Sequence, residues 1–123
     1  MAILTIEKFA ELRNSLTVVK DKFYIPVWDA EVYMRRLSAG EAMKIYSRAE
    51  KVQDEDKKVE EYNFAMYRMV IACLVDENGN QMLTENDINW LLSQDVQVVT
   101  ALVEAASKMN TINEKAQEEA EKN

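Results

Sequence analysis

The sequence predicts a mainly α fold, a single small helical domain with a short N-terminal β-hairpin. Three observations point there. Two glycines and one proline among 123 residues leave little provision for the tight turns of an all-β sandwich. Apolar residues recur at intervals of three and four along most of the chain. One stretch, 23–37, breaks that period with β-branched and aromatic residues.

In chain order, a first short helix fits Ile6 to Arg13, with Thr5 as its cap, Glu7 at the positive end of the macrodipole, and Phe9 and Leu12 three apart. Ala10 and Leu16 extend that face. The hairpin follows: Tyr24-Ile25-Pro26-Val27-Trp28 and Val32-Tyr33-Met34 flank the polar break Asp29-Ala30-Glu31. Pro26 has no N–H for a ladder, so its strand belongs on an edge, or the proline at an unpaired position.

Ser38 with Glu41 forms a capping box that opens a helix running to about Val52. Its stripe Ala42, Ile45, Tyr46 and Ala49 is expected to pack on the hairpin. Asp54-Glu55-Asp56-Lys57-Lys58 is a solvated connection or the first turn of the next helix. In that helix Tyr62, Met66, Met69, Val70, Cys73 and Leu74 form the core stripe, flanked by Phe64, Tyr67 and Ile71. Asp76-Glu77-Asn78-Gly79-Asn80 ends it, with Gly79 suited to positive φ, and Gln81-Met82-Leu83 is a short extended piece. Thr84 with Asp87 opens a short helix lined by Ile88, Leu91 and Leu92 and anchored by Trp90. Asp95 opens the last core helix, striped by Val98, Val99, Leu102, Val103, Ala106 and Met109. The domain is expected to span 1–110. The segment 111–123 is a charged tail, either a frayed helix or disordered, for want of any large apolar residue from Glu114 onward.

Chemistry is narrowed by what the chain lacks. It has no histidine, which excludes a Ser-His-Asp triad, a Cys-His pair and a His-containing zinc site. Its one cysteine, Cys73, lies in an apolar run and reads as an inert core thiol in a reducing compartment. Gly40 and Gly79 are isolated, so there is no glycine-rich phosphate loop. The neighbouring carboxylates Glu60/Glu61, Asp76/Glu77 and Glu118/Glu119 point in different directions on a helix and lack the apolar setting that separates two pKa values. A calcium loop centred on Gly79 would use Asp76, Asn78 and Glu85, yet it puts Leu74 at the first ligand position. The expectation is therefore a non-enzyme without cofactor or metal. A net charge of −7 argues against nucleic acid as partner, and no apolar run approaches the ~20 residues of a membrane span.

What remains is surface for other proteins. Arg35-Arg36 beside Tyr33 is the one compact basic pair with an aromatic neighbour. Among seven methionines, Met66 and Met69 suit the core, while Met34 and Met82, on extended pieces, suit an adaptable contact face. Trp28 is the most conspicuous aromatic for a partner, with burial against a neighbouring helix as the alternative. Tyr24, Trp28, Met34, Arg35, Arg36 and Met82 are thus the candidate partner-binding residues.

Taken in order, two blocks resemble the tail assembly chaperones of long-tailed, siphovirus-type bacteriophages. The first is Ile25-Pro26-Val27-Trp28-Asp29-Ala30-Glu31-Val32-Tyr33-Met34-Arg35-Arg36-Leu37-Ser38. The second runs from Val75-Asp76-Glu77-Asn78-Gly79-Asn80 through Thr84 and Asp87 to Trp90-Leu91 and the final helix, Val99 to Asn110. The resemblance spans about residues 20–110 and is silent on the N-terminal helix and the tail. It implies a non-enzymatic protein of the host bacterial cytoplasm, absent from the mature virion, that binds the tape-measure protein and helps recruit tail-tube subunits. It also implies a longer, frameshifted form of the chain, and assembly along an elongated client favours a homo-oligomer. Glu121-Lys122-Asn123 can be encoded GAA-AAA-AAC, which contains a slippery A-AAA-AAC heptamer. The alternative reading is a calcium-responsive or generic cytosolic helical adaptor.

Overall fold

The computed structural model describes residues 3–14 and 19–110. Helix α1 spans Ile6–Asn14 and buries none of its residues. Thr5 caps it as expected, its Oγ1 accepting the Lys8 N–H at 3.1 Å. The extension of this face to Leu16, like the expected tail 111–123, lies outside the described residues.

The hairpin pairs β1, Lys20–Ile25, with β2, Ala30–Arg35, in an antiparallel register from Lys20↔Arg35 to Ile25↔Ala30. The turn is not the polar break Asp29-Ala30-Glu31. It is a 3-10 turn over Pro26–Trp28, closed by Asp29 in the left-handed region at φ 47°. The Asp29 N–H donates to the Pro26 carbonyl at 3.1 Å. Pro26 opens this turn because its fixed φ suits the first position of such a helix and no partner there requires its missing N–H. Ala30 and Glu31 are thereby released into β2.

A third strand, β3, comprises only Leu74–Val75 and pairs antiparallel with β2 through Tyr33↔Val75 and Met34↔Leu74. The order is β1-β2-β3, so β1 has a free edge. One sheet face turns Phe23, Ile25, Val32 and Met34 toward the core. On the other, the Lys20 and Lys22 ammonium groups stand 5.0 and 5.7 Å from the Tyr33 ring centroid, and Lys20 also donates to the Glu77 carbonyl. The Arg36 N–H donates to the Val19 carbonyl at 2.8 Å. By alternation, the backbone groups of Lys20, Lys22 and Tyr24 face the open edge. There Asp21 Oδ1 accepts the Lys22 N–H at 2.8 Å.

Helix α2, Ala39–Glu50, begins with the expected capping box: Ser38 Oγ accepts the Glu41 N–H at 3.2 Å, and Glu41 Oε1 accepts the Ser38 N–H at 3.0 Å. It packs on helix α3, Glu55–Cys73, rather than on the hairpin, with Ala49 fully buried. Asp54 Oδ1 takes the N–H groups of Asp56 and Lys57, which makes the charged run 54–58 a cap and first helical turn. Burial along α3 begins at Ala65 and continues through Met69, Val70, Ile71 and Cys73. The N-terminal half stands clear of the core. Tyr62 and Met66 are consequently exposed, against their assignment to the core stripe.

After β3, Gly79 takes φ 85° in the polar turn and Gln81 bridges back to Val75. Thr84 and Asp87 form the second capping box, ahead of a 3-10 turn at Glu85–Asp87 and the short helix α4, Ile88–Leu92. Leu91, fully buried, anchors α4, whereas Trp90 is 44% exposed. Helix α5, Val96–Asn110, buries Val98, Leu102, Ala105, Ala106 and Met109 against α3 and both hairpin strands. Asp95 Oδ1 accepts the Gln97 N–H at 2.7 Å at its start. The architecture is mainly α with a small antiparallel sheet.

Candidate functional site

The hairpin places its turn against the N-terminal half of α5, and a shallow groove of about 240 Å³ lies between them. Pro26 and Val27 form one wall. Val96, Gln97, Thr100, Ala101 and Glu104 form the other. The lining is mostly apolar, and its volume falls below the ~300–1,000 Å³ of small-molecule sites, so it suits side chains of a partner. Val27 and Val96 are 50% and 74% exposed. This makes the groove the candidate contact region of the chain.

Two of the residues singled out from sequence belong to this tip. Tyr24 is exposed on the last part of β1, and its hydroxyl donates to Asp29 Oδ1 at 2.6 Å. That bond to a carboxylate raises the phenol pKa above its ordinary value. Trp28 is 37% exposed at the end of the turn. Tyr24, Val27 and Trp28 all belong to the end of β1 and its 3-10 turn, and of the three Val27 lines the groove.

The other four do not join them. Met34 has no exposed surface: it sits on the core face of the middle strand, so no partner reaches it in this fold. Arg35 is held internally, its Nε donating to the Ala72 carbonyl at 2.9 Å and its Nη1 to Glu41 Oε1 at 2.9 Å. Arg36 is exposed, yet its Nε contacts the Met109 carbonyl at 3.4 Å. These arginines lie at the base of the hairpin, about 17 Å from the tip at the ~3.3 Å rise of a strand. Met82 is 61% exposed and follows β3, its N–H donating to the Leu74 carbonyl at 3.1 Å, which also puts it near the base. The candidate contact residues therefore divide between two ends.

Sequence reasoning passed over Val96, Thr100 and Glu104, which lie off the core stripe of α5. The available signal was Val96, an apolar residue on the helix face opposite Val98 and Leu102.

The remaining chemical candidates are occupied otherwise. Leu74 is buried in β3, while Asp76 folds its own turn by accepting the N–H groups of Asn80 and Asn78, each at 2.9 Å. Those bonds, the Asn80 one foremost, lower its carboxyl pKa. Among the described residues no group of three or more His, Cys, Asp or Glu side chains could hold a metal ion. Burial pushes the Cys73 thiol up to about 11, too high for a useful thiolate. No helix among the described residues is long and apolar enough to cross a membrane.

Comparison with known proteins bears on the family and the fold. The family described as "Phage tail assembly chaperone, TAC" matches residues 11–110. Among solved structures, the tail assembly chaperone of bacteriophage HK97 is similar at a TM-score of 0.57 and 15% identity, covering 89% of this chain and 99% of that one. At that identity the likeness concerns the fold. No curated protein matches the sequence. The family match extends from the second half of α1 to the last residue of α5, and the chain belongs to the phage tail assembly chaperones.

Proposed function

We propose that the protein binds the tape-measure protein in the host bacterial cytoplasm and helps recruit tail-tube subunits to it, without remaining in the mature virion. The observation that carries this reading is the family match over residues 11–110. The groove with Val27 and Val96 exposed on its walls, and the exposed aromatics Tyr24 and Trp28 at the same hairpin tip, support it physically. A chaperone of this kind acts without catalysis: it covers apolar client surface and so lowers the concentration of client free to aggregate. The net charge of −7 keeps the complexes soluble by mutual repulsion.

Several copies act together along the client, associating through exposed apolar helix faces. Helix α1, with Phe9 and Leu12 each 53% exposed, is one such face. A longer form of the chain, made by slippage at the codons for Glu121-Lys122-Asn123, extends it toward the tube protein. Co-expression with the tape-measure protein tests the reading. The expected result is soluble client that co-purifies with the chain. Client that stays insoluble, together with only monomer by light scattering, would overturn it. An A-AAA-AAC heptamer followed by an open alternative frame is expected in the gene.

A further inference from the structure

We propose that the groove between the hairpin tip and α5 seats an amphipathic helical segment of a partner, apolar residues inward, with a lysine or arginine against Glu104. This deepens the client-binding reading and rests on it. Three observations carry it.

The first is spacing. Val96, Thr100 and Glu104 stand four residues apart on α5, a line of about 12 Å at the ~1.5 Å rise of a helix. A helix laid along that line presents side chains at i, i+4 and i+7 to the same interval. An extended strand would instead seek its backbone hydrogen bonds at the open edge of β1, where Asp21 already holds the Lys22 N–H.

The second is charge. No cation lines the groove, and among the described residues Glu104 belongs to no ion pair. Asp29 closes the turn that supplies one wall, and Asp95 immediately precedes Val96 on the other. Neither carboxylate lines the groove, Asp29 accepting the Tyr24 hydroxyl and Asp95 the Gln97 N–H, so Glu104 is the charged group of the lining, within a chain of net charge −7. A carboxylate beside an apolar floor favours a segment that carries positive charge beside its apolar stripe.

The third is accessibility. Val27, at 50% exposure, and Val96, at 74%, can be covered without disturbing the core, which lies on the opposite face of α5 at Val98, Leu102 and Ala106. The volume of about 240 Å³ accommodates anchoring side chains rather than a whole ligand.

The test uses the full chain and two synthetic 15-residue helical peptides. Both carry leucine at i, i+4 and i+7. One bears lysine at the next turn, and its twin bears glutamate there. Backbone amide NMR shifts on titration are expected at Val27 and from Val96 to Glu104. The lysine peptide is expected to bind about five-fold tighter than its twin, the scale of one partly exposed ion pair. Glu104→Lys should reverse that preference, and Thr100→Arg, on the exposed face, should abolish binding while leaving the circular dichroism spectrum and Tm unchanged. Shifts located elsewhere, equal affinities for the two peptides, or wild-type binding by Thr100→Arg would each overturn the proposal. Tighter binding of a peptide of residues 3–14 would assign the groove to a second copy instead and overturn it likewise. Co-expression with the tape-measure protein separates the two levels. If wild type and Thr100→Arg both hold the client, the groove proposal fails and the chaperone reading stands. If wild type does not hold it, the chaperone reading fails.

Discussion

Arg35 holds Glu41 with both terminal guanidinium nitrogens, Nη1 reaching Oε1 at 2.9 Å, while the same carboxylate accepts the Ser38 N–H at 3.0 Å. One acid thus completes the cap of α2 and the only clamp that ties β2 to it through charge among the described residues. Through Nε, Arg35 also satisfies the Ala72 carbonyl at the end of α3, where a cation is favoured by the helix dipole. Three elements meet on one side chain.

The pH dependence follows from that arrangement. Arg35 chiefly, and the Ser38 N–H next, hold the Glu41 carboxyl at about 2, below its ordinary 4.5. A depressed pKa stabilises the fold fully above about 4.5, and that contribution is lost as the pH falls toward 2. Denaturant titrations should show stability falling across this window. Glu41 is 42% exposed, so solvent screening reduces the effect, and Glu41→Gln should cost about 1–2 kcal/mol at neutral pH. The variant's stability should then vary less with pH below 4.5.

Asn110 serves as a four-way hydrogen-bond junction. Its Oδ1 accepts the Leu37 N–H at 2.7 Å, and its Nδ2 donates to the Ala106 carbonyl at 2.9 Å and lies 3.3 Å from Cys73 Sγ and 3.4 Å from the Arg35 carbonyl. Asn110→Ala strands the half-buried Leu37 N–H, for about 1–3 kcal/mol. Hydrogen exchange should show the Leu37 amide losing protection, ahead of amides in the middle of α3.

Helix α4 allows a paired comparison. Leu91→Ala empties a fully buried site and should cost about 2–5 kcal/mol. Trp90→Ala, at a residue 44% exposed, should cost less than about 1 kcal/mol. Urea midpoints of the two variants would check this ordering.

Gly79 sits at φ 85° with nothing within 4 Å of an added Cβ. Only backbone strain opposes a side chain there. Gly79→Ala should destabilise by about 1–2 kcal/mol, measurable as a lower Tm with the far-UV spectrum retained.

The local signals in the sequence were legible because their physics is local. Ser38 with Glu41, Thr84 with Asp87, Asp95 and Thr5 each mark a helix start through bonds spanning two or three residues. Non-local partners were not legible. Leu74 and Val75 continue the apolar run of α3, and only pairing with Tyr33 and Met34 makes them a strand. The hairpin turn was displaced by three residues because Asp29-Ala30-Glu31 is polar, while the chain turns at Pro26 and tolerates a left-handed Asp29. Trp90 and Leu91 are adjacent and both apolar, and their order of importance depends on which way a five-residue helix faces. At the hairpin tip the exposed aromatics Tyr24 and Trp28 are legible, but neither lines the groove. The groove's wall on α5 depends on the packing of a helix far along the chain.

The guarded edge of β1 governs what kind of disorder this protein can fall into. An incoming strand must displace the Asp21 bond to the Lys22 N–H and approach two ammonium groups poised over Tyr33, the devices by which sheets resist cross-β growth. Each added strand would have to break a local bond and bury charge first, which disfavours growth of a stack from this edge.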